Sequence, residues 1–165
     1  MTIIVTKDNL NQMLQNADAA KRVHIIGRAL VALFNRQTQA EQSANTTDNS
    51  NGIGFAGSDA RSGCLTAKSY IKNRTLQQWQ VDKWMTESRG YPRICKYAKQ
   101  LNEIAVEKAT KEKNALEARY SQLCQEYGMT VDSEDPVIIA SIMDQMIAIE
   151  SRLGNVPYRI SGAVA

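Results

Sequence analysis

The sequence predicts an all-α protein in which a compact helical domain precedes a long C-terminal antiparallel helical hairpin. Apolar residues recur every three or four positions through most of the chain, which is the spacing of one helix face. Capping signatures of the form S/T-x-x-E/Q at Thr38 and Thr75 mark helix beginnings. Two apolar segments near the C-terminus are separated by a short turn, so they should fold back on each other. We expect the domain to occupy residues 1–106 and the hairpin with its tail to occupy residues 107–165.

The composition sets limits on location and cofactors. Hydrophobic residues make up 43% of the 165 residues and charged residues 22%, which is ordinary for a soluble globular protein. No apolar run reaches membrane-spanning length and the N-terminus does not resemble a secretory signal, so we expect a cytoplasmic protein without a membrane partner. The single histidine, His24, and the three scattered cysteines, Cys64, Cys95 and Cys124, do not form a zinc pattern. We therefore expect neither a metal nor a cofactor.

The N-terminal segments predict short helices. Residues 2–5 form either one short strand or a simple tail. A short helix should begin near Thr6, and a longer one should cover residues 19–36, where apolar positions keep helical spacing. The capping signature at Thr38 should open a further turn.

A polar stretch without periodicity follows and predicts a loop. Residues 44–51 lack apolar anchors and should be mobile or held only by capping contacts. Gly52-Ile-Gly54 is not a phosphate loop, because it lacks a preceding strand, a third glycine and a following Gly-Lys-Ser/Thr. Its glycines should instead allow Phe55 to tuck under the next helix, where Phe55 should be buried.

The next helix should begin at Ser58 or Asp59, which are both good N-cap residues. Its core side is formed by Ala60, Cys64, Ala67 and Ile71. An adjacent side carries the basic residues Arg61, Lys68 and Lys72. Two like charges at i, i+4 spacing repel each other, and either an anionic partner or plain solvation would relieve that repulsion.

The two tryptophans lie on different sides of a short helix near residues 75–86. The core side of this helix is defined by Val81, Trp84 and Met85. Trp79 points well away from that side. It therefore either packs against a second neighbour or is exposed, and an exposed Trp79 beside Lys83 would offer a surface on which a base can stack.

The remaining chain predicts two helices. The first runs from Pro92 to Tyr127, with Gly128 directly after its end. Its first half is flanked by the basic residues Arg93, Lys96 and Lys99. The last helix, near residues 136–153, is apolar on more than one face, so it needs a second surface on the body of the protein or on another copy of the chain. The expected homodimer contacts are Ile138, Ile142, Met146 and Ile149. Residues 157–165 form a tail.

Positive charge is concentrated in the middle of the chain. From Arg61 to Lys113 there are 12 Lys or Arg and 5 Asp or Glu, a net charge of +7, whereas the whole chain has +3. Such a split is typical of a segment that faces a polyanion, although a solvated helical surface gives the same numbers. One basic row is formed by Arg61, Lys68 and Lys72, and the other by Arg93, Lys96 and Lys99. We expect the two basic rows to converge on one nucleic-acid-binding surface, with Trp79 or Tyr97 close by. The candidate contact residues are Arg61, Lys68, Lys72, Trp79, Lys83, Arg93, Lys96 and Lys99.

The sequence contains no recognisable catalytic constellation. Nucleophilic catalysis needs a Ser or Cys beside a base, and His24 lies in a segment that predicts a packing helix. Asp59 is the sole carboxylate between Asn51 and Tyr70, and no pair of carboxylates can be identified. We therefore expect a binding protein and not an enzyme.

Five short motifs follow one another between Asn51 and Leu101: N-G-x-G-F, D-A, A-K, L-x-x-W/K-Q and K-Y-x-x-Q-L. They are carried by Asn51, Gly52, Gly54, Phe55, Asp59, Ala60, Ala67, Lys68, Leu76, Trp79, Gln80, Lys96, Tyr97, Gln100 and Leu101. In this pattern, which covers about a third of the chain, the sequence resembles a family of small proteins encoded by bacteriophages and conjugative plasmids. Similar stretches occur as appendages on phage-type helicases, so the resemblance implies work near DNA.

These observations lead to three functional hypotheses. The first is a non-catalytic accessory protein of a phage or plasmid that binds nucleic acid, DNA in preference to RNA, through Lys and Arg contacts to phosphates. The alternative is an inhibitor of a host defence system, of anti-restriction or anti-CRISPR type, that binds a host protein. The third is a structural homo-oligomer held together by the last helix.

Overall fold

The computed structural model describes residues 5–47, 52–131 and 135–154. In these residues it contains seven α-helices and one small two-stranded sheet, which confirms the all-α prediction. The helices are α1 (Lys7–Asn16), α2 (Ala19–Phe34), α3 (Gln39–Ala44), α4 (Gly57–Asn73), α5 (Gln78–Met85), α6 (Ala98–Val131) and α7 (Pro136–Leu153). Within the described ranges, none of them combines the length and the apolar character that crossing a membrane requires. The predictions for residues 2–4, 48–51 and 157–165 lie outside the described residues.

The chain divides into two compact units, Met1–Glu107 and Lys108–Ala165. The first unit packs α1, α2, α4 and α5 around one apolar core. Three aromatic rings lie at its centre, with centroids 6.0 to 6.5 Å apart: Phe55, Trp84 and Tyr97. Phe55 is buried, as the sequence predicts, and Trp84 is the buried tryptophan.

Only one of the two predicted capping boxes forms. At the start of α3, the Thr38 hydroxyl accepts the Glu41 backbone N–H at 3.3 Å, and the Glu41 carboxylate accepts the Thr38 N–H at 2.9 Å. The prediction at Thr75 is wrong, because α5 begins after Gln77, whose backbone N–H donates to the side chain of Gln80. The extended residues before α5 carry Leu76 into the core.

The start and the buried face of α4 also differ from the prediction. The helix begins at Gly57, so neither Ser58 nor Asp59 is its N-cap. Ala60, Cys64 and Ala67 are buried as expected, but Ile71 is exposed. The buried face of α4 is rotated relative to the predicted face, because α4 packs closely against its neighbours at two glycines, one in α4 and one in α2. An added Cβ would meet the Phe55 ring at Gly63 and the Tyr70 ring at Gly27 of α2.

A small β-hairpin occupies the predicted loop after α5. Its strands, β1 (Glu87–Ser88) and β2 (Tyr91–Pro92), pair antiparallel. The turn residues Arg89 and Gly90 have φ values of 56° and 82°. Positive φ at both central positions is the type I′ arrangement, whose twist matches that of paired strands. Two-residue strands are too short to leave a periodic signal in the sequence.

Helix α6 begins and ends later than predicted. Residues Arg93–Tyr97 form a 3-10 segment, so α6 starts at Ala98 and not at Pro92. At the other end it passes through Gly128, which was expected to follow the helix, and continues to Val131. A glycine inside a helix costs about 1 kcal/mol, which is too little by itself to end a long helix.

The second unit is a helical hairpin. The part of α6 after Glu107 runs antiparallel to α7, because Arg152 binds Glu112 at 2.8 Å and Arg119 donates to Gln145 at 3.1 Å. Its buried residues are Leu123, Ile142 and Ile149, with Leu116, Tyr120, Tyr127, Met146 and Leu153 packed around them.

Of the four expected homodimer contacts, Ile138 is exposed, whereas the other three side chains lie in the hairpin core. Ile142 and Ile149 are buried in the hairpin core and Met146 is partly buried there, so these three side chains hold the two helices together. Two antiparallel helices bury one stripe of each partner, so within the hairpin α7 packs against α6 along one side. The large apolar residues that α7 leaves exposed are Val137, Ile138, Met143 and Ile147.

Candidate nucleic-acid interface

An exposed tryptophan lies at the centre of the candidate interface. Trp79, in the first turn of α5, is 61% exposed, and its indole N–H donates to the Gln77 side chain. Trp79, Arg61 and Lys83 line an open cavity of about 300 Å³ between α4 and α5. We call it the tryptophan cavity, and its other lining residues are Ser58, Ser62, Leu65 and Thr66.

Helix geometry explains why Trp79 is exposed. The buried residues of α5 are Gln80, Val81 and Trp84, and Trp79 lies on the opposite side of the helix. On α4, Leu65 is also exposed, one turn after Arg61. The sequence left two possibilities for Trp79, packing or exposure, and the structure shows exposure.

Asp59 is fully buried and organises a second group of basic residues. Its Oδ1 accepts the Arg93 Nε–H at 2.8 Å and also pairs with Arg93 Nη2. Its Oδ2 accepts the Tyr97 hydroxyl at 2.8 Å and pairs with the Lys96 ammonium group. The Tyr97 oxygen in turn accepts the Ala56 N–H at 3.1 Å. The residue expected to cap α4 is therefore an internal counter-ion.

Asp59 is ionised despite its burial. Burial alone would raise the pKa of its carboxyl, but hydrogen bonds from Arg93, Lys96 and Tyr97 outweigh that effect and hold the pKa below its usual value. Burial is also the main cause that raises the pKa of Tyr97, so its phenol stays protonated and donates to the carboxylate. One carboxylate and two cations leave this cluster with a net charge of +1.

Lys68 is held by the protein itself. Its ammonium group donates at 2.7 Å to both the Gln42 carbonyl and the Asn45 side chain, at the C-terminal end of α3. It also lies 5.8 Å from the centroid of the Phe34 ring. A cation at this position satisfies carbonyl groups that a helix end leaves unpaired. The ammonium group of Lys68 is therefore already bound by groups of the protein itself.

The structure brings together three of the eight candidate contact residues, namely Arg61, Trp79 and Lys83. Arg93 and Lys96 line a different cavity, and Lys68 supports α3. Lys72 and Lys99 are exposed on α4 and α6. The two basic rows do not meet in one cavity, because a buried carboxylate holds part of the second row beside the β-hairpin.

The cavity beside the β-hairpin was not predicted. It measures about 400 Å³, and we call it the hairpin cavity; its lining residues are Lys7, Ser88, Arg89, Tyr91, Pro92, Arg93 and Lys96. Helix α1 is attached to the hairpin by the Tyr91 hydroxyl, which donates to Asp8 at 2.7 Å. The Arg89-Gly90 turn in a basic stretch was a weak signal for this cavity. No pattern in the sequence indicated that Lys7 of α1 lines this cavity, because its position depends on a tertiary contact.

Three of the motifs found between Asn51 and Leu101 contact each other. The Gly54 N–H donates to the Gln100 side chain at 2.8 Å, and Gln100 donates back to the Gly54 carbonyl at 3.1 Å. Tyr97 binds both Ala56 and Asp59, so the K-Y-x-x-Q-L motif holds the N-G-x-G-F and D-A motifs in place. The residues of these three motifs therefore stabilise the fold of the first unit through hydrogen bonds to each other.

Among the described residues, no group of three or more His, Cys, Asp or Glu side chains is placed to hold a metal ion. Comparisons with protein-family models, with curated proteins and with solved structures find no match to this chain. Function is therefore inferred from the two cavities and their charge.

Proposed function

We propose that the protein is a non-catalytic, cytoplasmic accessory protein of a bacteriophage or plasmid, and that it binds single-stranded nucleic acid, DNA in preference to RNA. The observation that carries the proposal is the exposed indole of Trp79 in one cavity with Arg61 and Lys83. The motif resemblance between residues 51 and 101 supports the origin in a mobile element.

The tryptophan cavity combines the two interactions that single strands need. A base can stack on the indole face, which is worth about 1–3 kcal/mol per base and depends little on sequence. Arg61 and Lys83 can neutralise neighbouring phosphates and release their counterions. The bases of a duplex already stack on each other, so a single strand is the better ligand for an exposed indole.

Fluorescence anisotropy with labelled single-stranded DNA, single-stranded RNA and duplex DNA at two salt concentrations tests the proposal. Trp79→Ala should weaken single-strand binding by about 1–3 kcal/mol and affect duplex binding least. Arg61→Ala and Lys83→Ala should each lower the salt slope of log K by about one. Because phosphate contacts carry little sequence information, the two charge variants should weaken all sequences alike.

Lys111→Ala is the matched control, since Lys111 is exposed in the second unit and its loss changes the net charge equally. It should leave affinity and salt slope close to wild type. Full affinity in Trp79→Ala, or no binding to any nucleic acid at low salt, would contradict the proposal.

The second candidate is an inhibitor of a host defence system that binds a host protein. It is favoured by the exposure of Leu65 beside Trp79 and Arg61, because Trp and Arg are the residues that most often anchor protein interfaces. In that case Leu65→Ala and Trp79→Ala should both abolish capture of the same protein from nuclease-treated host lysate. Leu65→Ala should have little effect on nucleic-acid binding, so the variant separates the two candidates.

We also propose that the protein forms a homodimer through the exposed apolar residues of α7. Met143 and Ile147 lie one turn apart on that helix and are 46% and 58% exposed. Sedimentation at increasing concentration should show a dimer for wild type and a monomer for Ile147→Asp, with unchanged helicity. A wild-type monomer at high concentration would contradict the dimer.

A further inference from the structure

The hairpin cavity concentrates positive charge. Four cationic side chains line it: Lys7, Arg89, Arg93 and Lys96. Among the described residues, Asp59 and Asp8 are the carboxylates that contact its lining side chains. Four positive and two negative charges leave an excess of +2.

Two of the cations are oriented before any ligand arrives. The buried carboxylate of Asp59 binds both Arg93 and Lys96, whose side chains are still 32% and 41% exposed. A guanidinium group has five N–H donors and an ammonium group has three, so Asp59 uses only some of them. Side chains held in this way lose little further freedom when they bind an anion.

Arg89 places a third cation at the cavity through an uncommon backbone conformation. Its φ of 56° lies in the left-handed region, at a turn position where Asn, Asp or Gly is usual. Strained residues of this kind cluster at binding and catalytic sites. Position 89 is nevertheless an arginine, and its side chain lines the cavity.

We propose that the hairpin cavity binds the phosphate group of a phosphomonoester, either a free small molecule or the terminal phosphate of a nucleic-acid strand. A phosphomonoester carries close to two negative charges at neutral pH, which matches the excess of +2. Arginine forks suit phosphate oxygens, and the Ser88 hydroxyl adds a further donor. A volume of about 400 Å³ is in the usual range of small-molecule sites. The proposal does not rest on the function proposed above, because the two cavities share no lining residue.

Calorimetry in a buffer free of phosphate and sulfate tests this site. The probes are inorganic phosphate, adenosine 5′-monophosphate with adenosine as its control, and an oligothymidine with either a 5′-phosphate or a 5′-hydroxyl. Arg89→Gly and Lys7→Ala should each weaken binding of the phosphate probes about tenfold, as expected for the loss of one charge-assisted hydrogen bond. Arg28→Ala, at an exposed position of α2, removes the same charge elsewhere and should keep wild-type affinity.

Arg89→Gly separates binding from folding. Glycine accepts the positive φ without strain, so the variant should unfold at the same temperature as wild type or higher while it loses phosphate affinity. Tighter binding of the 5′-phosphorylated strand than of the 5′-hydroxyl strand supports the site and assigns it to strand ends. Equal binding of the two strands, together with binding of inorganic phosphate, supports the site and assigns it to small phosphates.

Three results would overturn the phosphate site: no binding of any phosphate probe, full affinity in Arg89→Gly, or an equal loss in Arg28→Ala. Trp79→Ala should keep affinity for inorganic phosphate, so failure of this site and failure of the proposed nucleic-acid surface are distinguishable.

Discussion

At the scale of single residues, Asp59 decides how the middle of the chain is arranged. It is fully buried and binds Arg93, Lys96 and Tyr97, which come from a segment more than 30 positions later. Asp59→Asn keeps the shape but removes the charge, which leaves two cations without their counter-ion. We expect a loss of about 3 kcal/mol in the free energy of unfolding, measured by urea denaturation near neutral pH.

The same residue predicts a pH dependence. The pKa of Asp59 is lower in the folded protein than in the unfolded chain, where it is about 3.9. Its ionised form therefore contributes stability above about pH 4, and this contribution is lost as the pH falls through the folded pKa. Wild type should lose stability over this acidic range and Asp59→Asn should lose less. Asp82→Asn, at an exposed position of α5, is the control and should follow wild type.

Two glycines of α4 give a further prediction at residue scale. A Cβ at Gly63 would lie 2.5 Å from the Phe55 ring, whereas nothing lies within 4 Å of a Cβ at Gly57. Gly63→Ala should therefore lower the free energy of unfolding by about 1–3 kcal/mol, because the core must shift. Gly57→Ala should be neutral or stabilise by up to about 1 kcal/mol, since alanine is the better helix former. Thermal unfolding of the two variants measures the difference in stability between them. Equal effects would contradict the close contact between Gly63 and the Phe55 ring.

At the scale of elements, Lys68 connects α4 to the end of α3. Its two hydrogen bonds hold the Gln42 carbonyl and the Asn45 side chain. Lys68→Ala should make the last amides of α3 exchange with solvent roughly tenfold faster, because bonds to a charged group are lost. Lys72→Ala removes an exposed lysine one turn later and should leave exchange in α3 unchanged. Equal exchange in both variants would show that Lys68 does not support α3.

At the scale of the whole molecule, the two units have separate cores. Both tryptophans belong to the first unit, so their fluorescence reports on that unit, whereas circular dichroism reports on all helices. Ile142→Ala should destabilise the hairpin by about 2–5 kcal/mol and shift part of the dichroism transition to lower denaturant. The fluorescence transition should stay in place. Ser141→Ala, at an exposed position of the same helix outside the proposed dimer contacts, should change neither transition.

The sequence by itself determined the fold class, the helical hairpin and the position of most helices. Helical periodicity and the Thr38 capping box are local signals, because a helix pairs each residue with neighbours three or four positions away. The same local signals could not show the small β-hairpin or the true start of α5. The formation of those elements depends on short strands and on the burial of Leu76.

Only the tertiary structure decided which basic residues face outward. Arg93 pairs with Asp59 across 34 positions and Lys68 with the Gln42 carbonyl across 26, so spacing along the chain carries no record of either contact. The sequence located the positive charge, and folding divided it among the tryptophan cavity, the hairpin cavity and internal contacts. The physical reason is that a charged side chain binds whichever partner folding brings within a few ångströms, and for Arg93 and Lys68 that partner is distant in sequence.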